Sequence, residues 1–157
     1  MQERTLIIIK PDAVQRQIIG RVIDRLEMKG FRVTGAKMMH ISLELAEKHY
    51  QEHKGQPYYD RLCRYISSSP SLVMVWQGEN IIKLSRNLMG ETLASQARPG
   101  TIRGDFSTAE NYNIVHGSDS PESAESEISL FFNEDEIVDY ELTIEPWLSG
   151  TYHEKIR

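Results

Sequence analysis

Apolar positions follow two periods along this chain. Leu6-Ile7-Ile8-Ile9 is continuously apolar within Arg4 to Lys10, which predicts a central strand covered on both faces. Pro11-Asp12 ends that run. Ile19, Val22, Ile23 and Leu26 then fall at helical spacing, and Gly30 supplies a stop. Phe31 to Ile41 mixes polar and apolar positions as a second strand. Ser42 opens a helix through about Glu52, and the Gly55-Gln56-Pro57 break leads to another from Tyr58 to about Ile66. Ser67-Ser68-Ser69-Pro70 is a turn, and Leu72 to Trp76 a third strand. Ile81, Leu84, Ser85 and Leu88 suit a helix that Gly90 ends. Residues 91–111 show little periodicity and predict a long connection; long ordered loops in compact domains often carry function. Asn113 to His116 is a fourth, short strand, Pro121 to Phe132 the last clear helix, and the stretch beyond Asp139 is weakly patterned.

This order predicts an α+β sandwich with helices packed on a mostly antiparallel sheet. No repeat, low-complexity tract or linker interrupts it, so the 157 residues are expected to form a single domain over 1–157. A formal charge of -5 argues against nucleic acid as a bulk electrostatic partner, though a small anion needs only a few local cations. The single Cys63 cannot form an internal disulfide, which points to a reducing, cytoplasmic compartment, and its place beside Leu62 and Ile66 suggests a packing role. The Leu6–Ile9 run is too short for a signal-peptide core or a membrane span.

Chemistry concentrates after the fourth strand. His116 ends a short apolar run; Ser120 can cap the next helix, Pro121 suits its first position, and Glu122 and Glu125 suit the positive end of its dipole. Ala124, Ile128 and Phe131 form the inward stripe of that helix, and Glu127 lies on the same stripe. An inward carboxylate needs a partner, and His116 and Ser118 are the nearest candidates. The plain alternative is a solvated Glu127 beside a turn histidine. Lys10 follows the first strand, Arg86 lies on the third main helix, and Thr92, Arg98, Thr101, Arg103 and Asp105 lie in the long connection. Together they could cradle phosphate; singly each could be a solvated surface charge. No Walker A, Rossmann or protein-kinase signature is present. His49-Tyr50-Gln51-Glu52-His53 matches an inverted zinc-peptidase pattern, but no third carboxylate ligand follows at a helical site, so both histidines are expected at the surface.

Lys10-Pro11-Asp12-Ala13-Val14, Gly90-Glu91-Thr92, Pro99 to Phe106 (PGTIRGDF) and Asn113 to Ser120 (NIVHGSDS) closely resemble nucleoside diphosphate kinases, and the likeness extends over roughly residues 3–147. The resemblance implies a ferredoxin-like α/β sandwich with a four-stranded sheet. It implies a ping-pong enzyme moving the γ-phosphate of a nucleoside triphosphate to a nucleoside diphosphate through a phosphohistidine on His116, maintaining nucleoside triphosphate pools. Lys10, Arg86, Thr92 and Arg103 would hold the phosphates, and Asn113 with Lys10 the ribose hydroxyls. Tyr58 would stack on the base with Leu62 beside it, and base stacking is tolerant of base identity. Tyr50 and Glu127 would flank the imidazole, with Ser118 bonded to Glu127. Mg2+ would bridge the nucleotide phosphates mostly without direct protein ligands, with Asp119 touching it through water. A homotetramer or homohexamer is implied. The alternative from another class is a nucleotide-binding regulatory or scaffold protein on the same fold.

The chain departs from the family pattern in places. Ala13 stands where glycine is usual, and Leu93-Ala94 where Asn-Pro is common, which removes a proline that stiffens the long loop. Glu110 replaces an apolar residue at the edge of the base slot. It is expected to turn outward, because desolvating an unpaired acid is costly; turned inward it would favour guanine. The common C-terminal Trp-Ile-Tyr-Glu becomes Trp147-Leu148-Ser149-Gly150 with seven further residues, so residues 148–157 are a divergent tail.

Overall fold

The computed structural model describes residues 2–155. Met1, at the start of the expected domain, and Ile156 and Arg157, at the end of the expected tail, lie outside the described residues. Four strands form one sheet: β1 (Gln2–Ile9), β2 (Arg32–Met39), β3 (Ser71–Glu79) and β4 (Val115–Gly117). Their order is β2-β3-β1-β4, and every pairing is antiparallel. The helices are α1 (Pro11–Gln15), α2 (Ile19–Met28), α3 (Leu43–His49), α4 (Tyr59–Ile66), α5 (Ile81–Met89), α6 (Ile102–Phe106), α7 (Pro121–Phe131) and α8 (Glu145–Leu148).

The sheet is covered on both faces, as the Leu6–Ile9 run requires. Side chains alternate across a strand, so Ile7 and Ile9 join Val22 and Leu26 of α2 and Ile81 and Met89 of α5 in one core layer. Leu6 and Ile8 join Ala46 of α3, Cys63 and Ile66 of α4 and Phe131 of α7 in the other. All four β1 residues are fully buried, each contributing about 1.5–3 kcal/mol of hydrophobic stabilisation. This rigid strand carries Lys10 at its end and pairs Ile8 with His116, so the central hydrophobic run sets the position of the site.

Several boundaries differ from the sequence pattern, each for a local reason. Pro11 does not merely end β1; it occupies the first turn of α1, where its missing N–H costs nothing. The helix from Ser42 ends at His49 and continues as a 3-10 turn over Gln51–His53. Residues 91–111 contain a 3-10 turn over Ala94–Gln96 and the helix α6. Five residues are too few to show a period, but the Thr101 hydroxyl accepts from Gly104 N and caps α6. The fourth strand begins two residues later than expected, because Ile114 has φ 73°. Ser120 caps α7 as the sequence indicated, accepting from Ser123 N at 3.1 Å.

Candidate active site

The segment before His116 is bent by a three-residue turn. Val115 N donates to Asn113 O at 2.7 Å across Ile114, whose positive φ is uncommon for a β-branched residue. Such a residue costs about 1–3 kcal/mol and persists only when its surroundings hold it. Here they do. Lys10 N donates to Ile114 O at 2.8 Å and Ile114 N to the Asp12 carboxylate at 3.2 Å. Arg103 donates from Nε to Asn113 O at 3.2 Å and from Nη2 to Val115 O at 2.7 Å. The turn aligns β4 so that His116 leaves the sheet facing α7.

At that point His116 Nε2 lies 3.0 Å from Glu127 Oε2. The Ser118 hydroxyl donates to the same oxygen at 2.6 Å and accepts from Leu6 N at 3.2 Å. Burial raises the Glu127 carboxyl, but the His116 bond and charge and the Ser118 bond outweigh it and hold the group below its ordinary value. A carboxylate only accepts, so the bond requires the proton on Nε2 of His116. The neutral ring therefore carries its lone pair on Nδ1. The inward position of Glu127 on α7 is thus explained by its two donors.

A second group gathers beside this triad. Lys10 Nζ donates to Asn113 Oδ1 at 2.7 Å, and Asn113 Nδ2 to Thr92 O at 3.1 Å. Burial, then the Arg103 charge, lowers the Lys10 ammonium to about 7, with Asp12 opposing. Arg103 is buried, and burial followed by the Arg86 charge brings it to about 10. Its Nη1 donates to Gly90 O at 2.9 Å; with Nε and Nη2 also engaged, three of its five N–H groups hold backbone and two remain. Arg86 Nη1 donates to Gly117 O at 3.1 Å, one residue beyond His116.

Other expected residues sit farther out. Tyr58 is 37% exposed just before α4, its hydroxyl 3.1 Å from His53 Nδ1, and Leu62 is half-buried on α4. Tyr50 is buried, its hydroxyl unpartnered and its phenol raised by burial, then by Cys63 and Glu127. Asp119 is exposed and accepts from the Ser123 hydroxyl at 2.7 Å, a bond that holds its carboxyl below the ordinary range. Glu110 is exposed as expected, but its carboxylate accepts from Ser95 N at 3.1 Å.

His49 corrects the sequence reading. It is not a surface histidine: its ring centroid lies 4.6 Å from that of His116 in an edge-on arrangement and 5.4 Å from Phe131. Both ring nitrogens are buried without a partner, and burial, then the His116 charge, presses the group down to about 3. The polarity of α3 hid this, because Ala46 is its one fully buried residue and His49 reaches His116 from the helix's last position. His53 pairs with Tyr58 instead, so the inverted zinc pattern does not converge. One ligand atom each from His49, His116 and Glu127 lies within 4.8 Å of the others, but Glu127 Oε2 already meets two donors.

Comparison with known proteins bears on this arrangement. A sequence model described as nucleoside diphosphate kinase matches residues 3–137. The chain belongs to the nucleoside diphosphate kinase family. It is 51% identical over 146 residues to a nucleoside diphosphate kinase of Brevibacillus brevis, covering 93% of this chain and 99% of that one. It is 52% identical over 148 residues to one of Thermomicrobium roseum, covering 94% and 99%. A solved halophilic nucleoside diphosphate kinase from Halobacterium salinarum, in complex with CDP, superposes with a TM-score of 0.92 at 45% identity, covering 94% of this chain and 99% of that one. As a nucleoside diphosphate kinase, the chain is a kinase that transfers phosphate between nucleotides.

Proposed function

We propose that the transfer runs through a phosphohistidine on Nδ1 of His116. The observation that carries this is the 3.0 Å contact between Nε2 and the Glu127 carboxylate, which leaves Nδ1 as the nucleophile. In the first half-reaction the Nδ1 lone pair forms an N–P bond to the γ-phosphorus. The bond from that phosphorus to the β–γ bridging oxygen breaks, and the leaving diphosphate keeps the electron pair. The ring becomes cationic as the bond forms, and Glu127 stabilises that charge through the Nε2 proton. The second half-reaction reverses these steps onto another nucleoside diphosphate, so one site serves donor and acceptor in turn.

Lys10, Arg86, Thr92 and the two free N–H groups of Arg103 hold the phosphates in this reading, and Asn113 with Lys10 the ribose hydroxyls. Tyr58 and Leu62 line the base. That the halophilic relative was solved in complex with CDP supports nucleotide binding by this chain. The donor set fits Mg2+ carried by the nucleotide: the cradle is cationic, and Asp119 is an exposed, ionised carboxylate at its edge. Bound with the nucleotide, Mg2+ would neutralise phosphate charge, and Asp119 would be the residue to reach it, through water. A single domain working in the cytoplasm as a homotetramer or homohexamer completes the reading. Among the described residues no helix is long and apolar enough to cross a membrane.

Acid-labile label from γ-labelled ATP, chased off by a second nucleoside diphosphate, tests the mechanism. His116→Ala is expected to abolish labelling while nucleotide binding persists, and labelling near the wild-type rate would overturn the assignment. Glu127→Gln is expected to slow single-turnover labelling without lowering the melting temperature. An unchanged rate would make Glu127 a packing residue.

A further inference from the structure

The loop from Gly90 to Arg98 carries Thr92 and is tied down from outside. Arg103 holds Gly90 O at 2.9 Å, Asn113 holds Thr92 O at 3.1 Å, and the Thr101 hydroxyl holds Arg98 O at 2.6 Å. Between Thr92 and Arg98 lies the 3-10 turn Ala94–Gln96, which begins at Leu93 and has no side-chain cap of its own. Its first N–H groups face outward without an intrahelical acceptor. Glu110 supplies one from across the chain, accepting from Ser95 N at 3.1 Å. The Ser95 hydroxyl first, then the Ser95 and Ala94 N–H groups, keep the carboxyl below its ordinary range against the opposing effect of burial.

Glu110 is itself on an ordered support. Ala109 and Tyr112 form an isolated antiparallel bridge, with Tyr112 N donating to Ala109 O at 3.2 Å. The Tyr112 ring packs edge-on against Tyr65 at 5.0 Å, and the Tyr65 hydroxyl donates to Asp12, which in turn binds Ile114 N. The carboxylate thus connects the Thr92 loop to the framework that holds the His116 turn.

We propose that Glu110 is a positioning residue for the nucleotide phosphates: its carboxylate caps the Ala94–Gln96 turn and so fixes the loop that presents Thr92. This rests on the reading that Thr92 contacts phosphate. It also joins two departures noted in the sequence. Leu93-Ala94 leaves the loop without a stiffening proline, and Glu110 restores the constraint by a hydrogen bond. Leu93 already has φ -85° and ψ 125°, the extended conformation that a following proline demands. Position 94 is the first residue of the turn, where proline is tolerated. Ala94→Pro should therefore make the carboxylate dispensable.

The test compares Glu110→Ala, Glu110→Gln, Ala94→Pro, Thr92→Ala and the double variant Ala94→Pro/Glu110→Ala in steady-state kinetics, with amide exchange across residues 93–97. Glu110→Ala is expected to lose protection at Ser95 and to raise the KM for nucleoside diphosphate about two- to fivefold, with kcat and melting temperature unchanged. Glu110→Gln, which keeps an acceptor, is expected to fall between. The double variant is expected to return KM to the wild-type value. Unchanged Ser95 protection or unchanged KM in Glu110→Ala overturns the proposal. So does a raised KM that the proline does not restore, which would put the carboxylate in direct contact with the nucleotide. If Thr92→Ala leaves KM unchanged, the phosphate reading of the loop fails and the proposal with it. If Thr92→Ala raises KM while Glu110→Ala is inert, only the proposal fails.

Discussion

Lys10 is a buried ammonium bonded to a neutral amide oxygen, with no carboxylate in ion-pair reach among the described residues. Arg103 faces it from α6, Tyr65 from α4 with its ring centroid 5.6 Å away, and His49 lies within electrostatic reach on α3. Asp12 on α1 is the nearest acid, but its oxygens serve Tyr65 and Ile114 N. With its value near 7, Lys10 is mostly neutral at pH 8 in the free protein. The unfolded chain holds that proton up to about 10.5, so stability from this group rises with pH between the two values. A bound phosphate chain supplies the missing counter-charge and raises the value again. Terminal phosphates are ionised at pH 8, their last pKa being about 6 to 7. Nucleotide binding at pH 8 is therefore expected to take up close to one proton per site. Titration calorimetry in buffers of different ionisation enthalpy measures this. The uptake should vanish in Lys10→Arg, which is always charged. Zero uptake in the wild type would show that the ammonium is already charged before binding. At this scale, the Glu127–His116 pair was legible because an inward acid on an apolar stripe needs a donor. His49 was not legible, because burial of a helix's last residue depends on where the next helix packs.

Among the elements, α6 and the loop before it decide how closely the cationic groups approach. Gly104 sits where a Cβ would lie 1.9 Å from Arg98 O, a backbone atom that cannot swing aside. The same carbonyl accepts from Thr101 N and its hydroxyl, so the Arg98–Thr101 turn and α6 close on each other through this glycine. Gly104→Ala is expected to cost about 1–3 kcal/mol by overpacking. That corresponds to a fall in melting temperature of roughly 2–12 °C for a domain of this size. KM should rise as well, since Arg103 and Thr92 are displaced together. Thermal melts and steady-state kinetics check both, and an unchanged melt would mean that the loop yields freely. The helix itself escaped the sequence pattern because one turn contributes a single buried apolar residue, Ile102, before Arg103.

For the whole molecule, the site lies where three elements end on one strand. β1 delivers Lys10, β4 delivers His116 across the Ile8 pairing, and α7 returns Glu127 over the same face. Ligand binding to this arrangement stabilises the fold, because the unfolded chain has no such site. At 100 times its dissociation constant, a nucleoside diphosphate is expected to add about 2.7 kcal/mol. That is a rise in melting temperature of roughly 5–11 °C. Since the cradle and the nucleophile are separate groups, His116→Ala should keep the shift. Thermal melts across a CDP titration measure it, and loss of the shift in His116→Ala would mean that the imidazole is needed for binding as well as transfer.

The four strands, the longer helices α2, α3, α4, α5 and α7, the two-sided burial of β1, the cap of α7 and the partners of Glu127 were legible in the sequence alone, because they rest on local periodicity and on which residue types can occupy a buried face. Tertiary structure alone decided the Ile114 turn, the approach of His49 to His116, the burial of Lys10 beside Arg103 and the reach of Glu110 to Ser95. A β-branched residue has no local preference for φ 73°; four hydrogen bonds impose it, three donated by Lys10 N and Arg103 and one accepted by the Asp12 carboxylate. Such bonds join residues as far apart in the chain as Lys10 and Ile114, and no local pattern encodes which donor will face which acceptor.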